Sequence, residues 1–459
     1  MTTRATLWLV ASVVVCAPAA TRAQTTADPA QDAPKEQKEQ RPTGLPKRID
    51  WTFNFDAGGG SFGFANSLFL DPKDPGLQEN LSDQWVEGYV KPALSGVLTL
   101  KSTSEFYGKV SAVGEGTYGQ APGYLGPDVS SFGIDDLAIG WRSGHLFKDL
   151  GENAVDISVG RVPYKLGTGM LLYDGASEGG SRGGYWTNAR KAFAFGVIGQ
   201  FKPGPNKLEG FYLDHDDLPE SDTGSRLWGV NYEFTHGAAN TFGVTYFRMI
   251  ARPDERPDRN GLNVFNIRAY TAPLPGAPDL SFAFEYAAER NGELVDSNAW
   301  TLEGAYELRH LRWTPKLSYR YAFFEGDNPG TAKNEAFDTI FGGFSDWGSW
   351  WQGEIAGEYF LLNSNLISHM VRAHFEPVDA VGTGVIVYDF LVDQPATFGP
   401  GVADRHAAVE ADWYTDWKLN HNFQVSFILA VAAPGKAVEQ ATGRTKNFTY
   451  GMVYVAYSF

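Results

Sequence analysis

Charged side chains, rather than nucleophiles, carry the chemistry open to this chain. Arg161 precedes a Gly-rich stretch, Val162 to Lys191, in which Lys165, Arg182, Arg190 and Lys191 stand against Asp174 and Glu178. Cations of this kind, folded into a water-filled passage, would contact an anionic or hydroxyl-rich solute, because guanidinium presents several fixed donors. Left outside, the same stretch is an ordinary solvated loop, and loop statistics favour that placement. A second set lies on segments where polar and apolar residues alternate. Their polar side carries the bases Arg268, Lys316, Arg320 and Arg372. It also carries the acids Glu233, Glu285, Glu289, Glu303, Glu307, Glu354, Glu358, Glu410, Asp412 and Asp416. With acids in the majority, such a wall repels polyanions unless its narrowest point is basic. Tyr185, Trp186, Trp347, Trp350 and Trp351 offer faces for stacking on sugar rings, although anchoring at a lipid interface is the commoner use of such residues.

Catalysis finds little support. Of eight histidines, including His215, His369, His374 and His406, none stands in a nucleophile motif, and a hydrolase needs a nucleophile oriented by a base. His374 beside Arg372 reads as a wall residue. Asp214, Asp216, Asp217, Glu220 and Asp222 crowd one segment, but their spacing is not that of a calcium loop, which leaves a solvated loop. There is no Cys/His zinc pattern and no phosphate-cradling glycine motif. No catalytic residue, metal or cofactor is therefore assigned. A formal charge of −16 also disfavours nucleic acid, which needs clustered Lys and Arg.

The elements that position these groups are strands. The last ten residues, YGMVYVAYSF, put Val453, Val455, Tyr457 and Phe459 on one face and Met452, Tyr454, Ala456 and Ser458 on the other. That is period two, ending on an aromatic. Trp313–Phe323, His406–Trp417, Phe423–Val431, Leu280–Glu289 and Trp300–Leu308 alternate in the same way. Each is about ten residues, the length a tilted strand needs to cross a bilayer. Trp313, Tyr321, Trp413, Trp417, Tyr457 and Phe459 sit at segment ends, as an interfacial girdle requires. No run of 18 apolar residues follows the leader, so helical spans are excluded. Short turns (203–206, 236–240, 273–278, 418–422) interleave with long loops (214–225, 251–261, 324–350, 432–446).

Residues 1–23 read as a cleaved signal peptide, with Arg4, an apolar stretch Leu7–Val15 and small residues before Ala23. Residues 24–48 read as a disordered periplasmic linker. The remainder, 49–459, reads as one all-β domain: a transmembrane antiparallel barrel in the outer membrane. About 19 candidate strands are countable, but single-chain bacterial barrels are even-numbered. Roughly 410 residues at about 23 per strand and connection favour 18, with 16 as the nearest alternative. Alternation breaks between Phe324 and Val392, and the count is equally open before Arg161.

Two stretches resemble the alginate-export family of outer-membrane barrels. One is Val155 to Lys191, with Gly160 and Arg161 ending a strand before the Gly-rich loop. The other is Pro315 to Leu366, with Gly326 and Asp327, then Phe337, Asp338 and Phe341, then Asn365 and Leu366. The resemblance implies an 18-stranded monomeric barrel; the family's best-known member passes an anionic polysaccharide through a basic pore. The expectation is an outer-membrane channel with inward-folding loops, passing a polysaccharide, oligosaccharide or other small hydrophilic solute. A general porin, or one selective for sugars or cations, is the alternative, and a non-conducting adhesion or envelope-structural barrel the reading from another class. The expected pathway residues are Arg161, Lys165, Arg182, Arg190, Lys191, Arg268, Lys316, Arg320 and Arg372. The expected partners are outer-membrane lipid and, through Phe459, the barrel-insertion machinery.

Overall fold

A computed structural model describes residues 49–68, 81–100, 103–123, 126–237, 240–271, 276–343 and 352–459. The signal-peptide and linker readings, and Trp347, Trp350 and Trp351, lie outside the described residues. Eighteen strands are described. The first six are β1 (Ile49–Ala65), β2 (Ser82–Thr99), β3 (Glu105–Gly119), β4 (Val129–Arg142), β5 (Val155–Arg161) and β6 (Phe195–Phe201). Next come β7 (Asn206–Asp214), β8 (Arg226–His236), β9 (Asn240–Ile250), β10 (Asn263–Thr271), β11 (Leu280–Asn291) and β12 (Val295–Glu307). The last six are β13 (Lys316–Phe324), β14 (Leu366–Val378), β15 (Val381–Val392), β16 (His406–Lys418), β17 (Phe423–Pro434) and β18 (Phe448–Ser458).

Each strand pairs antiparallel with its sequence neighbours, and β18 pairs with β1, closing the ring. Closure removes sheet edges, which satisfies every backbone group where no water is at hand. At the seam Phe55 and Phe459 exchange backbone hydrogen bonds, both at 3.0 Å. Both chain ends of the barrel lie with the short turns, such as 203–206 and 379–380; the long loops occupy the other rim.

The two faces of the sheet differ as lipid and lumen demand. Phe132, Ile139, Leu317, Tyr319, Trp413, Leu429 and Val453 point outward and are exposed. Glu285, Asn266, Arg268, Arg320, Glu410 and Tyr454 point inward and are buried. Burial inside so wide a barrel has a cause: the β5–β6 connection (162–194) and the described parts of the β13–β14 connection (325–343 and 352–365) fold into it. Val162, Leu166, Leu171, Leu172, Trp186 and Phe193 of the first, and Phe337, Ile355 and Leu361 of the second, join one apolar core with inward residues of the wall.

The break in alternation after Phe324 is now explained. Residues Gly353–Leu361 form a π-helix, not a strand. Glu354 and Glu358, expected on a strand's polar face, sit instead on this helix.

Candidate functional site: the lumen and its inward loops

The wall carboxylates are acceptors for the backbone of the inward loops. Glu87 on β2 receives the N–H groups of Trp186 (2.9 Å) and Thr187 (3.0 Å). Asp135 on β4 receives those of Lys191 (3.2 Å) and Ala192 (3.1 Å) and pairs with Lys91. Glu285 accepts the Thr168 hydroxyl at 2.5 Å, and Glu289 accepts the Asp338 N–H at 2.9 Å. Glu410 takes the N–H groups of Ile355 (2.8 Å) and Ala356 (2.6 Å), and Asp412 that of Glu354 (3.3 Å). An irregular loop leaves backbone donors unpaired, and burying one unpaired is costly. Carboxylates on a rigid sheet supply acceptor oxygens at fixed places. The acid surplus is thus largely consumed in seating the loops.

Two of these sockets were not legible as such. Asp135 and Asp136 both face inward because the β3–β4 register shifts between Val110 and Ala112. A bulge of this kind lets two consecutive residues share one face. Asp136 then accepts from the Ser111 hydroxyl at 2.6 Å and pairs with Lys109 at 3.0 Å. The adjacent acidic pair was the available signal. Glu87, Lys91 and Glu115 lie in the stretch before Arg161, where strand faces could not be assigned.

The expected cations fall into three groups. Arg161 and Arg182 meet on Asp216 of the β7–β8 loop, at 2.5 and 2.9 Å. Arg182 also donates to the Ser177, Asp216 and Asp217 carbonyls. Beside them, Arg190 lies between Glu115 (2.7 Å) and Glu178 (3.8 Å), and Lys191 pairs with Asp174 at 2.6 Å. Burial, with Glu115 adjacent, pushes the Glu178 carboxyl up. Lys165 and Lys191 both lie against the Tyr173 ring. Arg268 stands apart from these. Fully buried on β10, it donates to Asn231 (2.5 Å), Glu233 (2.6 Å), Thr245 (2.8 Å) and Asn266 (2.8 Å), tying three strands together.

The third group is Lys316, Arg320 and Arg372 on adjacent strands β13 and β14. Arg320 is buried, 3.8 Å from Glu303. Arg372 donates from Nε (3.0 Å) and Nη2 (2.7 Å) to the Tyr414 hydroxyl, which also meets His374 at 2.7 Å. Among the described residues no carboxylate lies at ion-pair distance from Lys316 or Arg372. Lys316 is exposed and Arg372 half-buried.

The acidic segment 214–222 is fastened rather than freely solvated. Asp216 holds the two arginines, Asp222 pairs with Arg252 at 2.6 Å, and Asp217 holds His215 at 2.6 Å. Burial opposes ionisation of Asp217, but hydrogen bonds from His215 and Thr223 win and lower its carboxyl. Trp186 neither stacks in open lumen nor faces lipid. It is buried between Phe62 (5.2 Å) and Tyr454 (4.9 Å).

Most of the residues that carried the family resemblance brace the loops. Asp338 binds Arg259 (2.5 Å) and Arg256 (2.9 Å) of the β9–β10 loop. Burial alone would raise its carboxyl; those two guanidiniums hold it well below the usual carboxylate range. Phe341 stacks on His215 at 3.9 Å. Gly326 donates to Asp393 at 3.1 Å, Asp327 accepts from Glu335 at 3.1 Å, and Asn365 donates to the Gln394 carbonyl at 3.1 Å. Gly160, at φ +124°, has no room for a side chain: an added Cβ would fall 2.2 Å from the Leu137 carbonyl.

Solved structures share this architecture. OccK5 (OpdH) of Pseudomonas aeruginosa superposes with a TM-score of 0.55 at 10% identity, covering 89% of this chain and 98% of that one. OccAB2 of Acinetobacter baumannii gives 0.55 at 13% identity with the same coverages. The outer membrane protein opdK of Pseudomonas aeruginosa gives 0.55 at 11%. Curated proteins provide no sequence match. The sequence profile described as alginate export matches residues 186–452, more than half of the chain. A closed 18-stranded barrel with loops folded into its lumen and that profile over residues 186–452 agree: the chain belongs to the alginate-export family and is an outer-membrane channel barrel.

Proposed function

We propose that the barrel passes a hydrophilic anionic solute, a carboxylated saccharide or oligosaccharide, by passive movement past the Lys316–Arg320–Arg372 wall. The observation that carries this reading is the difference between the lumenal acids and those bases. The acids at the loop seats accept backbone N–H groups or pair with neighbouring cations. Lys316 and Arg372 have no such partner, so the charge left to a passing solute on this wall is positive. Guanidinium and ammonium groups at a constriction favour anions by replacing part of their hydration.

The count of wall residues alone favours a cation-selective porin. That preference weakens once Glu87, Asp135, Glu285, Glu289, Glu410 and Asp412 are occupied in loop seating. The test is ion selectivity of the purified barrel in a planar bilayer, with and without galacturonate oligomers. The reading expects anion preference, and concentration-dependent block by the charged oligomers but not by neutral ones of equal length. Cation preference would support the porin alternative, and an absence of current steps a non-conducting envelope barrel. Lys316→Ala with Arg372→Ala should reduce both the anion preference and the block.

A further inference from the structure

On neighbouring strands β8 to β11, the lipid-facing side of the sheet is basic where it meets the long-loop rim. Arg226 opens β8, and Arg248 lies near the end of β9; both are exposed. Arg290, 38% exposed, lies near the end of β11. Period two fixes their direction. Trp228, Val230, Phe265 and Ile267 on the same faces are exposed, while Leu227, Phe247, Met249 and Val264 between them are buried. Register brings the cations together. Asn263 of β10 stands opposite Arg248 on one side and Arg290 on the other, which puts those two about 10 Å apart at their backbones. Arg226 opposes Ile250 and so lies diagonal to Arg248, a separation of about 7–8 Å that long side chains can close.

Asn263 braces the middle of this row. Its Oδ1 accepts from Arg248 Nη1 at 3.1 Å and from the Tyr246 hydroxyl at 2.9 Å, and its Nδ2 donates to the Arg290 carbonyl at 3.2 Å. Arg290 pairs with Asp296 at 3.0 Å. Arg252, in the β9–β10 loop, is taken by Asp222 (2.6 Å) and Glu255 (3.6 Å). Asp214 of β7 stands opposite Arg226 in register, yet among the described residues no carboxylate lies at ion-pair distance from Arg226 or Arg248. A chain of formal charge −16 thus leaves two guanidiniums uncompensated at the edge of the bilayer, where an anionic headgroup is the available counter-charge. Beneath them the surface is aromatic. Trp228 opposes Arg248; its ring meets Tyr246 edge to face at 6.0 Å, and Tyr246 meets Phe265 at 5.1 Å. Such a girdle marks the headgroup level, and long loops mark the extracellular end of an outer-membrane barrel. The cations therefore lie at the outer leaflet.

We propose that this face of β8–β11 is a binding site for a phosphorylated glycolipid of the outer leaflet. Its phosphate would lie on Arg226 and Arg248, its sugar hydroxyls near Asn263, and its acyl chains along Trp228, Tyr246 and Phe265. Guanidinium matches phosphate with paired N–H donors. A free phosphate would use only the charged upper half of this surface, whereas an amphiphile uses both halves. The site rests on the outer-membrane placement of the barrel and not on what the lumen conducts.

Native mass spectrometry of the full chain in detergent, titrated with bisphosphorylated lipid A, tests it. A one-to-one complex is expected, strongly weakened when the lipid's phosphates are removed. Each charge near such a surface is worth about fivefold in affinity, so Arg226→Gln with Arg248→Gln should weaken binding about 25-fold. Arg226→Lys with Arg248→Lys, which keeps both charges, should retain most of it. Arg312→Gln should change nothing, since that exposed arginine lies over Trp313 at the opposite, short-turn rim. Circular dichroism establishes that each variant is a folded barrel. Equal binding of dephosphorylated lipid A, or binding by the double Gln variant within about threefold of wild type, overturns the proposal. So does displacement of lipid A by equimolar inorganic phosphate, which would make a free anion the occupant. A barrel dimer lost in the double Gln variant also overturns it, in favour of a second copy of the chain.

Discussion

Asp216 holds Arg161 and Arg182 at the inward face of the β5–β6 loop, and the three side chains together carry one net positive charge. Asp216→Asn raises that to two; Arg161→Ala lowers it to zero. The substitutions are close to isolated changes of charge, because the Asp216 backbone bonds to Gly175, Ser177 and Arg182 do not involve its carboxylate. All three side chains are partly exposed, at 17% for Asp216 and 22% for Arg161, so water screening applies. A unit charge acts on an ion 4 Å away with about 1 kcal/mol in water, enough to change its local concentration about fivefold. At about 10 Å and 0.1 M salt, screening leaves roughly 0.15 kcal/mol, which still moves the anion-to-cation ratio by about 1.7-fold. Reversal potentials across a planar bilayer under a salt gradient measure that ratio. Asp216→Asn is expected to move it toward anions and Arg161→Ala or Arg182→Ala toward cations, each by at least about 1.7-fold at 0.1 M salt, shrinking at 1 M. Shifts in the same direction for Asp216→Asn and Arg161→Ala, or none in either, would refute the claim that the solute path passes this cluster.

Three further outcomes are expected. Arg268→Met should lower stability by about 3–5 kcal/mol, since it strands a buried network. Glu233→Gln on top of it should cost clearly less than it does alone, because the carboxylate left behind is neutralised; urea titration of the folded form in detergent micelles measures both. Asp338→Asn should loosen the 325–365 loop by about 1.5–3 kcal/mol, the worth of a charged hydrogen bond, visible as faster proteolysis of that loop. Because Arg259 and Arg256 hold Asp338 below the ordinary carboxylate range, its contribution is fully present above about pH 4 and is lost only as pH falls through the lowered value. Gly353→Ala should unseat the π-helix, placing a side chain at a positive φ (about 1–2 kcal/mol) and against Glu410; the readout is faster thiol labelling of a cysteine introduced by Ala356→Cys, a position that is fully buried while the helix is seated.

The wall was legible in the sequence because lipid and water impose opposite demands on successive residues. Val453, Val455 and Leu429 face outward, and Tyr454, Glu410 and Arg320 inward, as period two requires. Where the chain departs from period two, sequence patterning loses the face. The bulge at Asp135–Asp136 turns two neighbours inward, and the π-helix carries Glu354 and Glu358 at a spacing that a strand also allows. The inward course of loop 162–194 depends on Glu87, Glu115 and Asp135, about 60–100 residues away in the chain. No local pattern records such partners. The same distance explains the charge count: an acid's sign is readable from its type, but whether a solute meets it depends on which backbone donors have already reached it.

The central claim is that the barrel conducts, with its free lumenal charge positive. Single-channel recording of the wild-type protein in a neutral-lipid planar bilayer, under a tenfold salt gradient, tests it most directly. Discrete current steps are expected, with a reversal potential that shows anion preference. Steps with a clear preference for cations, or a membrane that stays silent across pH 5 to 9 with correctly folded protein inserted, would contradict it.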